Sequence, residues 1–460
     1  MNKRILWPLL VVSLLILSSL IGCVGGGKQG EEITLVVLTR HDTTIQMKVR
    51  QAFLSSDIAK KYNIVDIKFK YTTPGDWKKY IEEGAADVAW GGGPTVFDDL
   101  FLEGYLQPLD MPELLQYIDQ HIPKKFAGFP TMRTKDSKIY WVGAALSSFG
   151  FTVNHDKLLQ LGLPQPKKWE DLASEVFAME PPAVGTADPT KSTSNTRIFE
   201  IILQAFEWEE GWRILTLMAA NARIYDASDS VREGVIAGEI AVGTTIDFYG
   251  YIAMKANPAC EYVVPSGQSI VNADPIALVK NAPHKEAAQA FILWVLSPEG
   301  QKIWLDPSIN RMPINPEVFN TPEGKQRSDL KKAYDSLESV SAIPFNDTLA
   351  LETEVTMQYY FKATLVDTHD LLHSVWIQLV EAKKNGKITD EQFESLKNKL
   401  TELLTFKDPR TGQTVKFTLE WAKENNEYVK KNPDDYLRIW RTAAEQKYNE
   451  VLNELKSITG

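Results

Sequence analysis

A glycine-rich turn that follows a short buried strand constrains the fold of this chain more than any other feature. Asp87-Val88-Ala89-Trp90 is an apolar run typical of a buried parallel strand, and Gly91, Gly92 and Gly93 follow it. Pro94 then stands where a helix can begin, because the first helical position needs no N–H group. Glycines let the backbone approach a bound group closely, and free N–H groups at the start of a helix attract an anion. The spacing fits neither the phosphate loop nor the dinucleotide fingerprint, so the turn indicates either a ligand cradle or only a tight connection.

Strands and helices alternate on both sides of this turn. The apolar, β-branched runs 33–38 and 65–71 predict strands, and apolar residues at helical spacing predict helices over 44–62 and 77–83. The helix after the turn is expected to bury a stripe made of Phe97, Leu100, Phe101 and Leu102. Alternation of this kind predicts an α/β fold, in which a parallel sheet is covered by helices on both faces.

The residues at the ends of two of the predicted strands are further candidate ligand contacts. Ligands of open α/β sheets bind beyond the carboxyl ends of the strands, which selects Thr39, Arg40 and His41. Arg40 is suited to hold an anion through two parallel hydrogen bonds. For each of these residues a solvated turn is the alternative. Trp90 can stack on a ligand, although a tryptophan within a strand more often belongs to the core.

A run of hydroxyl side chains gives a second candidate cradle. Ser192, Thr193 and Ser194 precede an apolar helix predicted over 198–206. They offer both hydroxyls and free N–H groups at the positive end of that helix, which suits an anion. The alternative is an ordinary serine or threonine N-cap.

Two further residues follow another predicted strand. Asp247 and Tyr249 come directly after the apolar run 240–244, so they face the same crevice as the serines if the sheet is wound as proposed. Tyr225, which ends a strand starting near Ala222, is a weaker candidate.

Charge and motif content exclude some functions. The chain has 460 residues, enough for two or three domains, and a net charge of −10, which argues against a nucleic-acid partner. It contains no G-x-x-x-x-G-K-[ST] loop, so we expect no ATP hydrolysis, and no cofactor is indicated. Of its two cysteines only Cys260 lies in the predicted folded part, where we expect an unpaired, partly buried thiol.

The N-terminus is typical of an exported protein. Basic residues at 3–4, an apolar stretch over 5–21 and a small-residue context before Cys23 predict a secretory signal peptide over 1–23. Leu-Ile-Gly-Cys resembles the lipobox of secreted lipoproteins, which implies a lipid on Cys23; a plain signal or an uncleaved anchor is the alternative. Residues 24–32 lack apolar periodicity and are expected to form a flexible tether.

The first segment that resembles a known family is residues 149–173, with the sequence FGFTVNHDKLLQLGLPQPKKWEDLA. This segment resembles the crossover into the second lobe of extracellular solute-binding proteins of ABC transporters. Further stretches are similar to the branch of that family that includes ferric-ion, thiamine, phosphonate and phosphosugar binders; they are 188–194, 228–243, 262–267 and 272–304. The resemblance runs from Ile33 to Pro316 in consistent order.

The resemblance implies a two-lobed type II periplasmic-binding-protein fold with a hinge, followed by an all-helical C-terminal extension. Lobe 1 is expected to comprise 33–143 and 268–320, lobe 2 to comprise 144–267, and the extension to comprise 321–460. Hinges are expected near 144–148 and 265–271, which adds Ser147 and Ser148 to the candidate ligand contacts.

It also implies a function. The chain would be a non-enzymatic receptor, anchored by lipid at the extracellular face of the membrane, that captures a small anionic solute and delivers it to an ABC permease. Iron-binding relatives are expected to use paired adjacent tyrosines and a histidine near the first strand. Phe248-Tyr249-Gly250-Tyr251 breaks that doublet although His41 is near the expected histidine, which favours a carboxylated or phosphorylated solute. Iron or a metal chelate is the alternative within the same fold.

The C-terminal part is predicted to be a series of polar, amphipathic helices. Their expected spans are 330–340, 349–385, 390–404, 418–430 and 434–458. Thr389 and Gln392 form a capping box at the start of one of them.

His369 and His373 stand four residues apart on one predicted helix face, as zinc ligands do. A secreted metal-dependent hydrolase is therefore the rival function, although aspartate replaces the glutamate base and no third ligand is evident. Two half-buried helix histidines without metal are the simpler interpretation. A module whose C-terminal helices bind a partner is the third alternative.

Overall fold

The computed structural model describes residues 32–460. The predicted signal peptide, the lipid-bearing Cys23 and the tether up to residue 31 lie outside this range. Within it, no helix combines the length and the hydrophobicity needed to cross a bilayer.

The strands of residues 32–460 form one large sheet and two small hairpins. In chain order they are β1 (Ile33–Thr39), β2 (Ile64–Tyr71), β3 (Val88–Trp90), β4 (Lys125–Phe126), β5 (Phe129–Pro130), β6 (Met132–Lys135), β7 (Lys138–Asn154), β8 (Val184–Ala187), β9 (Ala222–Tyr225), β10 (Val242–Ile246), β11 (Cys260–Val263), β12 (Val271–Leu278), β13 (Met312–Pro313), β14 (Thr405–Lys407) and β15 (Thr414–Lys416).

The large sheet has the order β2-β1-β3-β12-β7-β10-β8-β9, and β6, β11 and β13 also pair with β7. Its outer strands are parallel, as predicted: β1 pairs in parallel with β2 and β3, and β8 does so with β9 and β10. The two central strands, β12 and β7, are antiparallel to their neighbours, so the sheet is mixed rather than wholly parallel.

The long strand β7 joins the two lobes. Its first part pairs with β12 up to Ser148, and its last part pairs with β10 and β11 from Phe149 onward. The chain returns between β11 and β12, which gives two crossings between the lobes. This is the two-lobed arrangement that the sequence predicted.

Helices cover the sheet and make up most of the C-terminal part. In chain order they are α1 (Thr43–Ser55), α2 (Asp57–Lys61), α3 (Pro74–Glu82), α4 (Pro94–Leu102), α5 (Pro112–His121), α6 (His155–Leu161), α7 (Trp169–Leu172), α8 (Thr193–Ala205), α9 (Trp208–Ala220), α10 (Ser228–Ile236), α11 (Asp247–Ala256), α12 (Lys285–Leu296), α13 (Pro298–Gln301), α14 (Pro322–Lys325), α15 (Ser328–Glu338), α16 (Asp347–Phe361), α17 (His369–Lys384), α18 (Asp390–Thr401), α19 (Leu419–Lys431) and α20 (Pro433–Thr459).

Several helix boundaries follow directly from the sequence. Pro94 is the first residue of α4, and Thr389 with Gln392 forms the expected capping box of α18. The predicted helix 44–62 is instead two helices, because Ser56 stops α1 and its hydroxyl caps α2. Within α4, Phe97 and Leu100 are buried as expected, but Leu102 is 67% exposed because it ends the helix.

The C-terminal extension is helical, with two departures from the prediction. The expected helix 349–385 is broken between α16 and α17, where residues 362–366 form a wide π-type turn. The strands β14 and β15 form a short hairpin that the sequence analysis did not include.

From α16 onward the extension shares one hydrophobic core with lobe 2, whereas Leu330, Tyr334 and Leu337 of α15 pack in the main core of lobe 1. Phe361 of α16 stacks on Phe199 of α8 with ring centroids 4.4 Å apart, and Tyr360 packs edge-on against Trp212 of α9 at 4.8 Å. These aromatic contacts bury large apolar areas on both sides of the boundary. The extension from α16 onward is thus part of the folded body of lobe 2, and α15 is part of that of lobe 1.

Helix α16 touches both lobes. It packs against α8 of lobe 2 and against α4, the helix that follows the glycine-rich turn in lobe 1. Towards lobe 2, Gln358 donates to Thr196 Oγ1 at 3.0 Å, and Lys362 just beyond α16 lies 3.8 Å from Asp188. The extension therefore bridges the two lobes through α16.

Candidate ligand-binding site

The ends of β1 and β3 are fixed to each other by Thr39. Its hydroxyl donates to Trp90 O at 2.8 Å and accepts from His41 N–H at 3.0 Å, and the whole residue is buried. Trp90 is 1% exposed and packs on His41 and Trp304, so it belongs to the core, as the simpler interpretation of a strand tryptophan held.

His41 lies beneath the glycine-rich turn. A Cβ on Gly91 would come within 2.6 Å of the imidazole, which explains why glycine is required there, at φ +78°. His41 Nε2 has no hydrogen-bond partner and is 3.9 Å from Asp274 Oδ2. Burial, and next the charge of Arg311, lower the pKa of His41 to about 4, so the ring is neutral near pH 7.

The amides of the glycine-rich turn bind a carboxylate of the protein itself. Gly92 N–H and Gly93 N–H both donate to Asp274 Oδ1, at 3.1 and 3.2 Å. Asp274 is the residue of β12 that precedes Pro275, and it is 7% exposed. The turn amides thus bind an anion, which in this conformation is the Asp274 carboxylate, and contact of these glycines with a solute stays a prediction.

Arg311 joins the two lobes at this point. Its Nη1 lies 2.5 Å from Asp274 Oδ2 in lobe 1, and its guanidinium lies 4.5 Å from the ring centroid of Phe248 in α11 of lobe 2. A guanidinium stacked on an aromatic ring keeps N–H groups at its edge available for an anion. Arg311 thus combines an inter-lobe contact with unused hydrogen-bonding capacity.

A second stacked arginine lies on the lobe 2 side. Arg232 of α10 lies 4.8 Å from the ring centroid of Tyr249, and Tyr249 packs against Phe248 with centroids 4.4 Å apart. Burial raises the pKa of the Tyr249 phenol, whereas Arg232 and Arg311 lower it. Tyr249 therefore stays neutral and lies within the electrostatic reach of both arginines.

Three serine hydroxyls meet where two helices begin. Ser192 caps α8 and Ser228 opens α10, and their hydroxyl oxygens are 2.5 Å apart. Ser194 Oγ lies 2.6 Å from Ser228 Oγ, and Asn195 Nδ2 donates to both Ser192 and Ser228. Ser192 is thus an N-cap, as the alternative held, and it also belongs to a hydroxyl cluster at two positive helix ends.

Asp247 stabilises the first crossing of the chain, on β7, instead of facing open space. Its carboxylate accepts from Ser148 N–H at 2.9 Å and from Phe248 N–H at 2.8 Å, and the residue is 1% exposed. Burial is the main reason that the pKa of Asp247 rises to about 7.

This raised pKa predicts a pH-dependent effect of Asp247→Asn. Between pH 3.8 and about 7 the unfolded carboxyl has already lost its proton while the folded one retains it, so rising pH lowers the stability of the wild type. Asparagine does not ionise and still accepts from Ser148 N–H. We expect the stability advantage of the variant over the wild type to grow by about 3 kcal/mol between pH 4.5 and pH 8, in urea unfolding. The exposed Asp229→Asn serves as control, and an equal pH profile for both variants would contradict the assignment.

The remaining predicted contacts lie apart from this cluster or at its edge. The Tyr225 ring packs inside lobe 2 and does not face the cleft. Its hydroxyl lies so close to Gly234 that a Cβ on Gly234 would be only 2.5 Å from it. Arg40 is half-buried and stacks on Tyr71 at 5.1 Å, and Ser147 pairs with Asn272 in the sheet. Thr193 is exposed beside the serine cluster.

The paired histidines of α17 contact backbone carbonyls instead of forming a metal centre. His369 Nε2 donates to Ala219 O at 3.1 Å, and His373 Nδ1 donates to Ala220 O at 2.6 Å, so both cover the end of α9. His373 Nε2 also lies 2.6 Å from Glu180 Oε1. Residues 32–460 contain no cluster of three side chains able to hold a metal ion.

Five residues of this cluster were not among the predicted contacts: Asp274, Arg232, Ser228, Phe248 and Arg311. Arg311 and Asp274 lie in lobe 1 segments that return to the cleft late in the chain, and they follow no glycine-rich or hydroxyl-rich pattern. Ser228 had a usable signal, since a serine opening a helix is a common N-terminal pattern.

Comparison with known proteins agrees with this architecture. A family model described as bacterial extracellular solute-binding protein matches residues 54–332. The chain is 27% identical over 285 residues to the phosphoglycerate transport regulatory protein PgtC of Salmonella typhimurium, which covers 60% of this chain and 68% of PgtC.

Solved structures show the same fold. The periplasmic binding protein AfuA from Actinobacillus pleuropneumoniae, with fructose-6-phosphate bound, gives a TM-score of 0.53 at 17% identity and covers 76% of this chain and 98% of AfuA. Iron-bound HitA from Pseudomonas aeruginosa gives 0.51 at 20% identity and covers 66% of this chain and 98% of HitA. The family match spans more than half of the chain, and the chain belongs to the bacterial extracellular solute-binding proteins.

Proposed function

We propose that this protein is the lipid-anchored receptor of an ABC import system, and that it binds a small phosphorylated or carboxylated solute between its lobes and delivers it to the permease. The observation that carries the proposal is the position of Arg311, which pairs with Asp274 in lobe 1 and stacks on Phe248 in lobe 2. A solute anion near Arg311 would contact both lobes at once and favour their closure.

The polar groups around this point favour an anion over a cation or a neutral sugar. The Arg232 and Arg311 guanidinium groups, the Tyr249 phenol and the serine hydroxyls are donors, and two helices begin at the serine cluster. Helix N-termini with hydroxyl caps suit the several oxygens of a phosphate group. The name of one relative refers to phosphoglycerate, and the structural neighbour AfuA holds fructose-6-phosphate, which supports this class.

The division of the chain follows from the same proposal. Lobe 1 would comprise 33–143 and 268–320, lobe 2 would comprise 144–267, and the helical extension would comprise 321–460. Closure would turn on the two crossings, near 144–148 and 265–271. The lipid on Cys23 would hold the receptor at the extracellular face of the membrane.

Bare ferric iron fits the cleft less well, although an iron-bound neighbour shares the fold. His41 is covered by Gly91, and burial raises the pKa of both Tyr249 and Tyr251, so neither phenol is disposed to become a phenolate ligand. The hydrolase alternative rests on His369 and His373, which are engaged with the end of α9.

Ser194→Ala tests the solute site. Ser194 is half-buried, caps no helix and shares a hydrogen bond with Ser228, so its removal should leave the fold intact. We expect mass spectrometry of the purified protein to reveal a phosphorylated or carboxylated compound. Calorimetry with phosphoglycerate and fructose 6-phosphate should show binding by at least one of them, weakened roughly tenfold or more in the variant.

The exposed Ser230→Ala is the matched control and should bind like the wild type. Equal affinity of the Ser194 variant and the wild type would remove the serine cluster from the site. Binding of neither compound, with only a cation or a neutral compound co-purifying, would refute the anion assignment.

A further inference from the structure

A second cavity lies away from the cleft, between lobe 2 and the extension. Its volume is about 1310 Å³, and it is bounded by the corner between α8 and α9 and by parts of α16, α18 and α19. None of the residues that line it belongs to the solute site described above. Because the extension forms much of its wall, this cavity lies largely outside the part of the chain that matches the family model.

Acidic side chains dominate the charged lining of the cavity. It has six glutamates against three basic residues, Arg213, Lys399 and Lys416. Each basic residue already has an acidic partner: Arg213 pairs with Glu210, Lys416 with Glu209, and Lys399 with Glu454 outside the lining.

Three lining glutamates are left without a partner of opposite charge. Within residues 32–460 no ion pair involves Glu207, Glu402 or Glu420. The Lys447 ammonium donates to Glu402 O, a backbone carbonyl, at 2.8 Å. Burial lowers the pKa of Lys447 to about 7 against the charge of Glu402, so this ammonium neutralises Glu402 only in part. The cavity therefore has a negative potential that its own side chains do not neutralise.

A buried carboxyl with an unused oxygen also lines the cavity. Glu200 is 4% exposed, and its Oε2 lies 3.2 Å from Arg197 Nη1, while its Oε1 has no hydrogen-bond partner. Arg197 also binds Asp347 at 2.7 Å, so one guanidinium serves two carboxylates. A buried polar atom without a partner is costly, and a donor supplied by a ligand would remove that cost.

The arrangement of the carboxylates determines what kind of cation fits. No three acidic side chains of the described residues come close enough together to hold a metal ion. The glutamates are instead spread over α8, its connection to α9, the end of α18 and the start of α19, with the aromatic rings of Phe206 and Trp208 among the lining residues. Separated carboxylates with aromatic surface between them match several ammonium groups joined by alkyl chains.

We propose that this cavity binds a linear organic polycation of the di- or polyamine class, independently of the solute in the cleft. The ammonium groups would approach Glu402, Glu420 and Glu207, and the alkyl chain would lie on Phe206 and Trp208. A donor would also reach Glu200 Oε1 at the inner end of the site. Each contact replaces an unpaired carboxylate oxygen with a charge-assisted hydrogen bond.

The backbone conformation of Glu207 indicates that this wall of the cavity is conformationally constrained. Its φ of 64° and ψ of 164° lie in a region that is essentially restricted to glycine. Such conformations persist only where the surroundings enforce them, and they are concentrated at ligand sites.

Binding of the polycation should change the protonation state of Glu200. Burial raises the pKa of Glu200 to about 8. The charge of Arg197 opposes this shift, and the charges of Glu354 and Asp347, which face Glu200 from α16, add to it. An ammonium group beside the carboxyl would favour its ionised form and release a proton. Affinity should therefore increase as pH rises towards 8, with proton release visible in buffers of different ionisation enthalpy.

Calorimetry with spermidine on the full mature protein tests the proposal. We expect binding by the wild type and at least a tenfold loss in the double variant Glu402→Gln and Glu420→Gln, whose carboxylates form no ion pair within residues 32–460. Glu445→Gln on α20 removes an exposed charge outside the cavity and should leave affinity unchanged. Thermal unfolding of each variant checks that the fold is intact.

Three results would overturn the proposal. The first is no measurable binding of spermidine by the wild type. The second is equal affinity of the wild type and the double variant, since this would put spermidine elsewhere, for example in the cleft. The third is equal competition by Mg²⁺ at matched charge concentration, because a non-specific counterion effect does not require an alkyl chain.

Discussion

Replacing Arg311 by alanine is expected to weaken solute binding about 100-fold, the largest effect on affinity of any single substitution in the cleft. The guanidinium contributes a positive charge, a flat surface on Phe248 and the pairing of Asp274. Without it, the Asp274 carboxylate keeps only the Gly92 and Gly93 amides, and its charge repels an incoming anion. Calorimetry with the co-purified solute, or with phosphoglycerate, measures this loss.

Arg311→Lys separates charge from geometry. Lysine keeps the charge beside Asp274 but loses the planar fork, so we expect an intermediate loss of roughly tenfold in a folded protein. Arg223→Ala, which removes an exposed arginine paired with Glu239 on the surface of lobe 2, should have no effect on affinity. If Arg311→Lys and Arg311→Ala both bind like the wild type, the solute does not contact this side chain.

Trp440→Ala should lower the free energy of unfolding by about 3–5 kcal/mol, the largest expected effect on stability. Trp440 of α20 is fully buried in the core that the extension shares with lobe 2. Its ring contacts Tyr360, Phe406, Phe417, Trp421 and Tyr436. Alanine would leave a large cavity among these rings, and they cannot all move in to fill it.

Because the core is shared, the damage should reach lobe 2. Urea unfolding followed by tryptophan fluorescence measures the loss, and protection of the α9 amides from hydrogen exchange should fall with it. The neighbouring Arg441→Ala changes an exposed side chain of the same helix and should shift stability by less than about 0.5 kcal/mol. Loss of protection confined to α18–α20 would show that the extension unfolds separately.

Much of the fold could be predicted because it is encoded locally. Apolar, β-branched runs predicted β1 and β2, Pro94 predicted the start of α4, and the pair Thr389–Gln392 predicted that of α18. The mixed character of the sheet was not predictable from periodicity. The buried strand β12 has the same apolar composition whether its neighbours are parallel or antiparallel, and its direction depends on the long-range return of the chain.

Only the part of the candidate site that is formed by local sequence patterns was predictable. Glycines at a strand end and serines at a helix start indicate donors; in the structure the Gly92 and Gly93 amides bind Asp274, and the serine hydroxyls bind one another. Their partners come from far along the chain: Asp274 follows Gly92 by 182 residues, and Arg311 comes 37 residues after Asp274. Tyr225 shows the opposite error, since a residue at a strand end can face the interior of its own lobe.

The shared core of lobe 2 and the extension also bears on how such a chain could have diverged from shorter members of its family. Phe199 and Trp212 belong to the segment that matches the family model, yet their rings pack on Phe361 and Tyr360, which lie beyond it. In a chain without these helices both rings would be exposed to water and would form an apolar surface patch prone to association. The appended helices and the surface that receives them are therefore under joint selection, so neither can be exchanged between homologues without the other.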